Sequence, residues 1–442
     1  MPWLFLLLSL VGAWLTYNTY YPIYAPPRRA VAGFFAGWLT AELALHLIAV
    51  QAVVTLLFIS GGALQAWPGV LGLLITLASW AGLWRCYQRS WEAGTAMARA
   101  LSDGRGNGSS DRAHATPIAQ PAQELDWRRI LLPFPIRHPE VERVRDIRYA
   151  RVNGLNLKLD VYRHRAHPTN CPTLLQVHGG GWVIGSKNEQ ALPLMTHLAA
   201  RGWVCVSANY RLSPHATFPD HLVDLKRAIQ WIREHGAEYG ANPDFLVVTG
   251  GSAGGHLSSL VALTANDPEY QPGFEHVDTS VHGCVPFYGV YDFTNRHRLW
   301  RHDALGDLLE KKVLKAARHE APEAYEKASP LSRVHADAPP FLVIHGDRDT
   351  LAVVEEARQF CSELQAVSRN PVRYAEIPGA QHAFELFPSL RTSLVIQGVE
   401  RFVNDLHTQY KARVSGVGSQ VSGREPAIPD TQQPTPNTHQ AA

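Results

Sequence analysis

Apolar and polar positions divide the chain into two kinds of material. From Met1 to Pro27 no side chain is charged, and from Ala30 to Trp84 the only charged one is Glu42. Apolar stretches at 2–20, 36–60 and 69–86 each approach the ~20 residues that a helix needs to cross the hydrocarbon of a bilayer. The pattern predicts three transmembrane helices within an anchor at 1–92. "GGALQAWPG" (61–69) separates the second from the third, and Trp38, Trp67, Trp80, Trp84 and Tyr87 lie near the ends, where aromatic belts form. The first stretch has no lysine or arginine ahead of it and no small-residue cleavage site behind it, so it reads as a retained helix and not as a cleaved leader. Glu42 and His46, four residues apart in the second stretch, read as a polar pair that fixes helix packing.

Beyond Trp91 the pattern changes. "LSDGRGNGSSDRAHATPIAQPAQ" (101–123) has no hydrophobic period, so 93–125 is expected to be a flexible linker between units with independent cores. At the far end, 412–442 has the composition of a disordered tail. Between them, 126–411 alternates strand and helix patterns. "IRYARV" (147–152) and "NLKLDVYR" (156–163) predict an antiparallel start. "TLLQV" (173–177), "WVCVSA" (203–208), "FLVVT" (245–249), "CVPFYGV" (284–290) and "FLVIH" (341–345) are short and nearly all apolar, as strands covered on both faces are. Amphipathic runs at 219–236 and 394–406 read as helices, which makes this an α/β domain with a mostly parallel sheet.

Charge and cysteines narrow the chemistry. The net charge is +2 with no dense basic run, so nothing calls for a nucleic-acid partner. Five scattered cysteines without a CxxC pair argue against a disulfide framework or a zinc site. They read as small buried hydrophobes.

"FLVVTGGSAGGHLSSL" (245–260) places a GxSxG at Gly250–Gly254 between a strand and a helix, the context in which Ser252 becomes an exposed nucleophile on a strained turn. "HGGGW" (178–182) follows an earlier strand, and its bare backbone suits an oxyanion. Gly179, Gly180 and Gly181, with Ala253 behind the nucleophile, are the candidate oxyanion hole. A serine needs a base, and the base needs a carboxylate. "FLVIHGDRDTL" (341–351) offers Asp347 and Asp349, and "IPGAQHAFEL" (377–386) offers His382 on a loop before the last helix. His256 and His345 read as backbone support near the site.

"HGGGW", "YRLSP" (210–214), "GGSAGGHL" (250–257), "PFYGVYDF" (286–293), "HGDRDTL" (345–351) and "QHAF" (381–384) together resemble the bacterial branch of the hormone-sensitive-lipase family of α/β-hydrolase carboxylesterases, over about 140–410. The resemblance implies an α/β-hydrolase fold with Ser252 as nucleophile, Asp349 as the carboxylate at the HGxxD position and His382 as base. It implies an acyl-enzyme and neither metal nor organic cofactor. Gly251 departs from the common GDSAGG pattern, and His256 from its asparagine. An insertion at 294–333 corresponds to a cap, with Leu299, Trp300, Leu305 and Leu308 as candidate pocket residues. The expected partners are a small-molecule or lipid ester and a membrane. An amidase or aryl-formamidase could use the same triad, and a receptor or scaffold could keep the fold without the activity. Arg28, Arg29, Arg85, Arg89 and Arg99 flank the first and third spans, which predicts a cytoplasmic hydrolase domain.

Overall fold

Helices lead the chain and a sheet follows. The computed structural model describes residues 1–102, 125–134 and 136–421. α1 (Pro2–Tyr20), α2 (Pro27–Glu42), α3 (Ala44–Ser60) and α4 (Trp67–Arg89) form an N-terminal bundle. α2 opens on a proline, whose missing N–H costs nothing in a first turn. The burial pattern of the bundle is inverted. Leu4, Leu7, Leu8, Val53, Leu56, Leu57 and Leu74 face outward, while Ser9, Thr16, Asn18, Thr76 and Ser79 are buried. Thr16 and Ser79 share a hydroxyl hydrogen bond of 2.8 Å, and Thr76 donates to Ser9 at 2.9 Å. Polar contacts of this kind hold helices together where the surroundings are apolar.

The three predicted spans are not what folds. Leu43 breaks the 36–60 stretch, and α3 leaves α2 at 90°. Among the described residues one helix, Trp67–Ser102, is long and apolar enough to cross a membrane, and the bent α2–α3 pair would make a second. α1 ends in the polar run Thr16–Tyr20. The break also puts Glu42 and His46 on different helices, so they share no face.

The predicted linker needs a second correction. Residues Glu92–Ser102 form α5, and Ala93, Met97 and Ala100 enter a core shared with the sheet. Their spacing is a helical stripe, but alanines carry so little hydropathy that composition hid it. The two halves therefore do not have independent cores. The remainder of the predicted linker, 103–124, lies outside the described residues.

The sheet has eight strands. β1 (Val141–Val152) and β2 (Leu155–His164) form the expected antiparallel hairpin. β3 (Cys171–Val177), β4 (Val204–Ala208), β5 (Ala241–Gly251), β6 (Gly283–Phe287), β7 (Phe341–Gly346) and β8 (Val372–Ile377) complete the spatial order β1-β2-β4-β3-β5-β6-β7-β8. β2 meets β4 antiparallel, and every later pairing is parallel. Successive residues of the inner strands face opposite sides. Leu175, Val177, Leu246 and Val248 enter one core, and Leu174, Phe245 and Val247 the other.

The first core carries α8 (Asp220–His235), α9 (Ala253–Leu263) and α12 (Val354–Val367). The second carries α5, α7 (Leu192–Ala199) and α13 (Leu390–Val421). α13 runs through 412–421, within the predicted tail, and 422–442 lies outside the described residues. Short helices α6 (Trp127–Leu131), α10 (Ala304–Leu308) and α11 (Pro322–Lys327) complete the set, the last two within the 294–333 insertion. All five cysteines are buried and unpaired.

Candidate active site

β5 delivers Ser252 to the end of the sheet, and α9 begins at the next residue. Ser252 has φ 59° and ψ −123°, a conformation a non-glycine residue adopts only under constraint. The constraint includes a hydrogen bond from its N–H to the Phe287 carbonyl at the end of β6, at 3.0 Å. The positive end of the α9 dipole lies directly behind the hydroxyl.

The loops after β7 and β8 supply the other two groups. His382 Nδ1 donates to Asp349 Oδ2 at 2.6 Å. The N–H groups of Leu351 and Ala352 both donate to Asp349 Oδ1 at 2.8 Å, and His345 Nε2 lies 3.2 Å from Oδ2. Burial by itself would raise the Asp349 carboxyl, but the charge of His382 and the hydrogen bonds from both histidines outweigh it and hold the group well below the carboxylate range. Asp349 thus fixes His382 with Nε2 turned away from it. Among the described residues Ser252 makes no hydrogen bond to that nitrogen, and such contacts commonly tighten only when substrate arrives. Asp347 is occupied elsewhere: it accepts from Gly379 N–H at 2.6 Å and lies 3.7 Å from Arg89.

The oxyanion candidates divide. Gly179 is excluded, because its N–H donates to Gln190 Oε1 at 2.6 Å. The N–H groups of Gly180 and Gly181, and that of Ala253 in the unpaired first turn of α9, have no acceptor among the described residues. Gly180 has φ 116°, and a Cβ there would stand 2.2 Å from the Ile184 carbonyl oxygen, so no other residue fits.

The supporting histidines behave as structure. Trp182 Nε1 donates to His256 Nδ1 at 3.1 Å, so His256 Nε2 carries the proton that bonds the Ala328 carbonyl at 2.7 Å. Burial lowers its pKa to about 3, which keeps it neutral. His256 thereby ties the "HGGGW" loop to the base of the insertion. Of the four candidate pocket residues, Leu308 lies against Gly181, 3.5 Å from where a Cβ would be. Trp300 and Leu305 line a cavity of about 30 Å³ with Tyr24 and Leu351, and Leu299 is not part of it.

Sequence reasoning left several neighbours unassigned. Tyr288 packs its ring on His382 with centroids 4.5 Å apart, and its hydroxyl lies near the Glu385 carboxyl. A Cβ at Gly251 would stand 2.6 Å from that hydroxyl, so the aspartate of the common pattern would not fit beside Tyr288 as it is placed here. Gln381 Oε1 accepts from Thr350 N–H at 2.8 Å and from His382 N–H at 2.9 Å, joining the two loops. Phe34 of α2 approaches His382 from outside the sheet, ring edge to ring face at 6.1 Å. Tyr288 and Gln381 stood inside motifs already singled out. Phe34 carried no signal.

The BD-FAE family model matches residues 159–364. Over 419 aligned residues the chain is 39% identical to the probable carboxylic ester hydrolase LipM of Mycobacterium tuberculosis, covering 92% of this chain and 94% of LipM. That coverage takes in most of the N-terminal bundle as well as the sheet. Esterase LipQ of the same organism is 44% identical over 264 residues, or 59% of this chain and 62% of LipQ. Among solved structures, the butyrate-bound esterase 2 of Thermogutta terrifontis matches with a TM-score of 0.51 at 25% identity, over 63% of this chain and 97% of that one.

Proposed function

The chain belongs to the carboxylic ester hydrolases of the α/β-hydrolase superfamily, and from that membership we propose a serine carboxylesterase of the hormone-sensitive-lipase type, held at a membrane by its N-terminal helices. The observation that carries the reading is the Asp349–His382 hydrogen bond of 2.6 Å set at the same sheet end as the strained Ser252. Ser252 Oγ attacks the ester carbonyl carbon while His382 Nε2 takes its proton. The carbonyl π pair moves to oxygen, which the N–H groups of Gly180, Gly181 and Ala253 receive. Collapse expels the alkoxide, which takes the proton from His382, and leaves an acyl-serine. Water, deprotonated by the same nitrogen, then releases the acid and restores Ser252. A short-chain or lipid-derived ester is the substrate class. Butyrate bound to the Thermogutta esterase supports the short end of that range.

The inverted burial of the bundle supports the membrane reading, since large outward apolar surfaces in a monomer mark contact with lipid or protein. Arg85 and Arg89 end α4 beside the hydrolase, and positive flanks of this kind favour the cytoplasmic side. A reporter active only outside the membrane, fused to the hydrolase, should stay silent. The catalytic test is Ser252→Ala, which should abolish both ester hydrolysis and fluorophosphonate labelling. Activity within tenfold of the unmodified protein would remove Ser252 from the mechanism.

A further inference from the structure

Ala30, Phe34, Trp38 and Glu42 recur every four residues along α2, so they form one stripe down the helix. Each of the four touches the hydrolase half. The Ala30 carbonyl accepts from Thr350 Oγ1 at 3.3 Å, one residue past Asp349. Phe34 stands on His382. Trp38 Nε1 donates to the Ala383 carbonyl at 2.8 Å, one residue past His382, and its ring stacks on Phe387 at 5.0 Å. Glu42 accepts from Ser389 Oγ at 2.6 Å and pairs with Arg391, both charged side chains fully buried.

These contacts fall on the acid–base half of the triad. The His382 loop needs an outside hold, because Ala383 has φ 59°, a left-handed conformation that costs a non-glycine residue about 1–2 kcal/mol. Tyr288 covers one side of the imidazole and Phe34 another. α2 is itself fixed, since Asn18 of α1 donates to the Gly33 carbonyl at 2.7 Å.

We propose that α2 is a built-in brace of the catalytic site: Phe34 and Trp38 are positioning residues that hold His382 and Asp349 in register with Ser252, and the hydrolase half is catalytically incomplete without the N-terminal bundle. The inference rests on the serine-hydrolase reading above. A misplacement of a catalytic group by about 1 Å costs on the order of a hundredfold, and the brace acts on the chemical step, not on substrate binding.

The test uses the full chain in detergent, with kcat expressed per serine titrated by a fluorophosphonate and KM measured on a short-chain aryl ester. Phe34→Ala should lower kcat by roughly tenfold to a hundredfold, with KM within threefold. Phe34→Leu should restore most of the rate, and Trp38→Phe, which removes the N–H donor together with part of the ring that stacks on Phe387, should lower kcat several-fold. Val31→Ala, on an exposed part of the same helix, should change nothing. If Phe34→Ala and Trp38→Phe both keep kcat per titrated serine within twofold, or if the loss appears in KM alone, the brace is refuted. Ser252→Ala run in parallel separates the two ideas: residual hydrolysis there overturns the serine mechanism, whatever α2 does.

Discussion

Placing a methyl group on Gly251 should damage catalysis without touching a reacting atom. The added Cβ would lie 2.6 Å from the Tyr288 hydroxyl and 2.9 Å from two carbons of its ring. Ordinary contact needs about 3.5 Å, so the ring must retreat by roughly 0.9 Å. It has little room. Tyr288 is buried, and the rings of Phe384, Phe287 and His382 surround it at 6.0, 6.2 and 4.5 Å. The nearest of these is His382, the proposed base, so the strain is passed to it. Overpacking of this size costs ~1–3 kcal/mol of stability, and displacing a catalytic group by nearly 1 Å costs about a hundredfold in rate. Gly251→Ala should therefore fold, melt a few degrees lower and lose one to two orders of magnitude in kcat on a short-chain ester. Adding Tyr288→Phe removes the closest contact but leaves the two ring carbons, so it should recover only part of the loss. A Gly251→Ala protein with kcat within threefold of the parent would show that the Tyr288–His382 packing transmits nothing.

Asp349→Asn should cost about three to four orders of magnitude in kcat because the orienting carboxylate is lost, whereas Asp347→Asn should stay within tenfold; the opposite ranking on folded protein would reassign the acid. Met97→Ala should lower the melting point of the hydrolase half, since truncating a buried methionine costs ~2–5 kcal/mol; an unchanged melting point would detach α5 from the core. Glu385 is buried beside Tyr288, and burial raises its pKa from 4.5 to about 7. Its folded pKa lies above the unfolded one, so its contribution is complete below about pH 4.5 and is lost as pH rises through about 7, a span of roughly 3 kcal/mol. Glu385→Gln should flatten the fall in stability between pH 5 and 8, and an identical fall in both proteins would refute the shift.

The sheet was legible because its inner strands are covered on both faces, which leaves a run of apolar residues with nothing else to be. Ser252, Asp349 and His382 could be singled out as candidates for a different reason: each lies just past a strand, and the order of the segments brings those strand ends to one side of the sheet. What touches a side chain from across the molecule leaves no local trace. Gly179 looks like Gly180 and Gly181 in sequence, and only the position of Gln190 separates them. Tyr288 stood in a quoted motif, yet its role depends on β6 ending beside β5, where its hydroxyl meets Gly251.

The N-terminal segment misled for a deeper reason. Hydropathy reports that a segment prefers apolar surroundings, and it cannot say whether lipid or protein provides them. α5 and the stripe of α2 take theirs from the hydrolase half, while Leu4, Leu56 and Leu74 face outward. The lone charge between Ala30 and Trp84 was the available clue. A carboxylate in an apolar helix requires a partner, and Glu42 finds Arg391 some 349 positions away in sequence. Both side chains are fully buried, and removing one member of such a pair strands the other at a cost of about 3–5 kcal/mol. A contact that penalises separation so heavily is consistent with an interface that stays closed, and here the same interface carries Phe34 to His382, the proposed base.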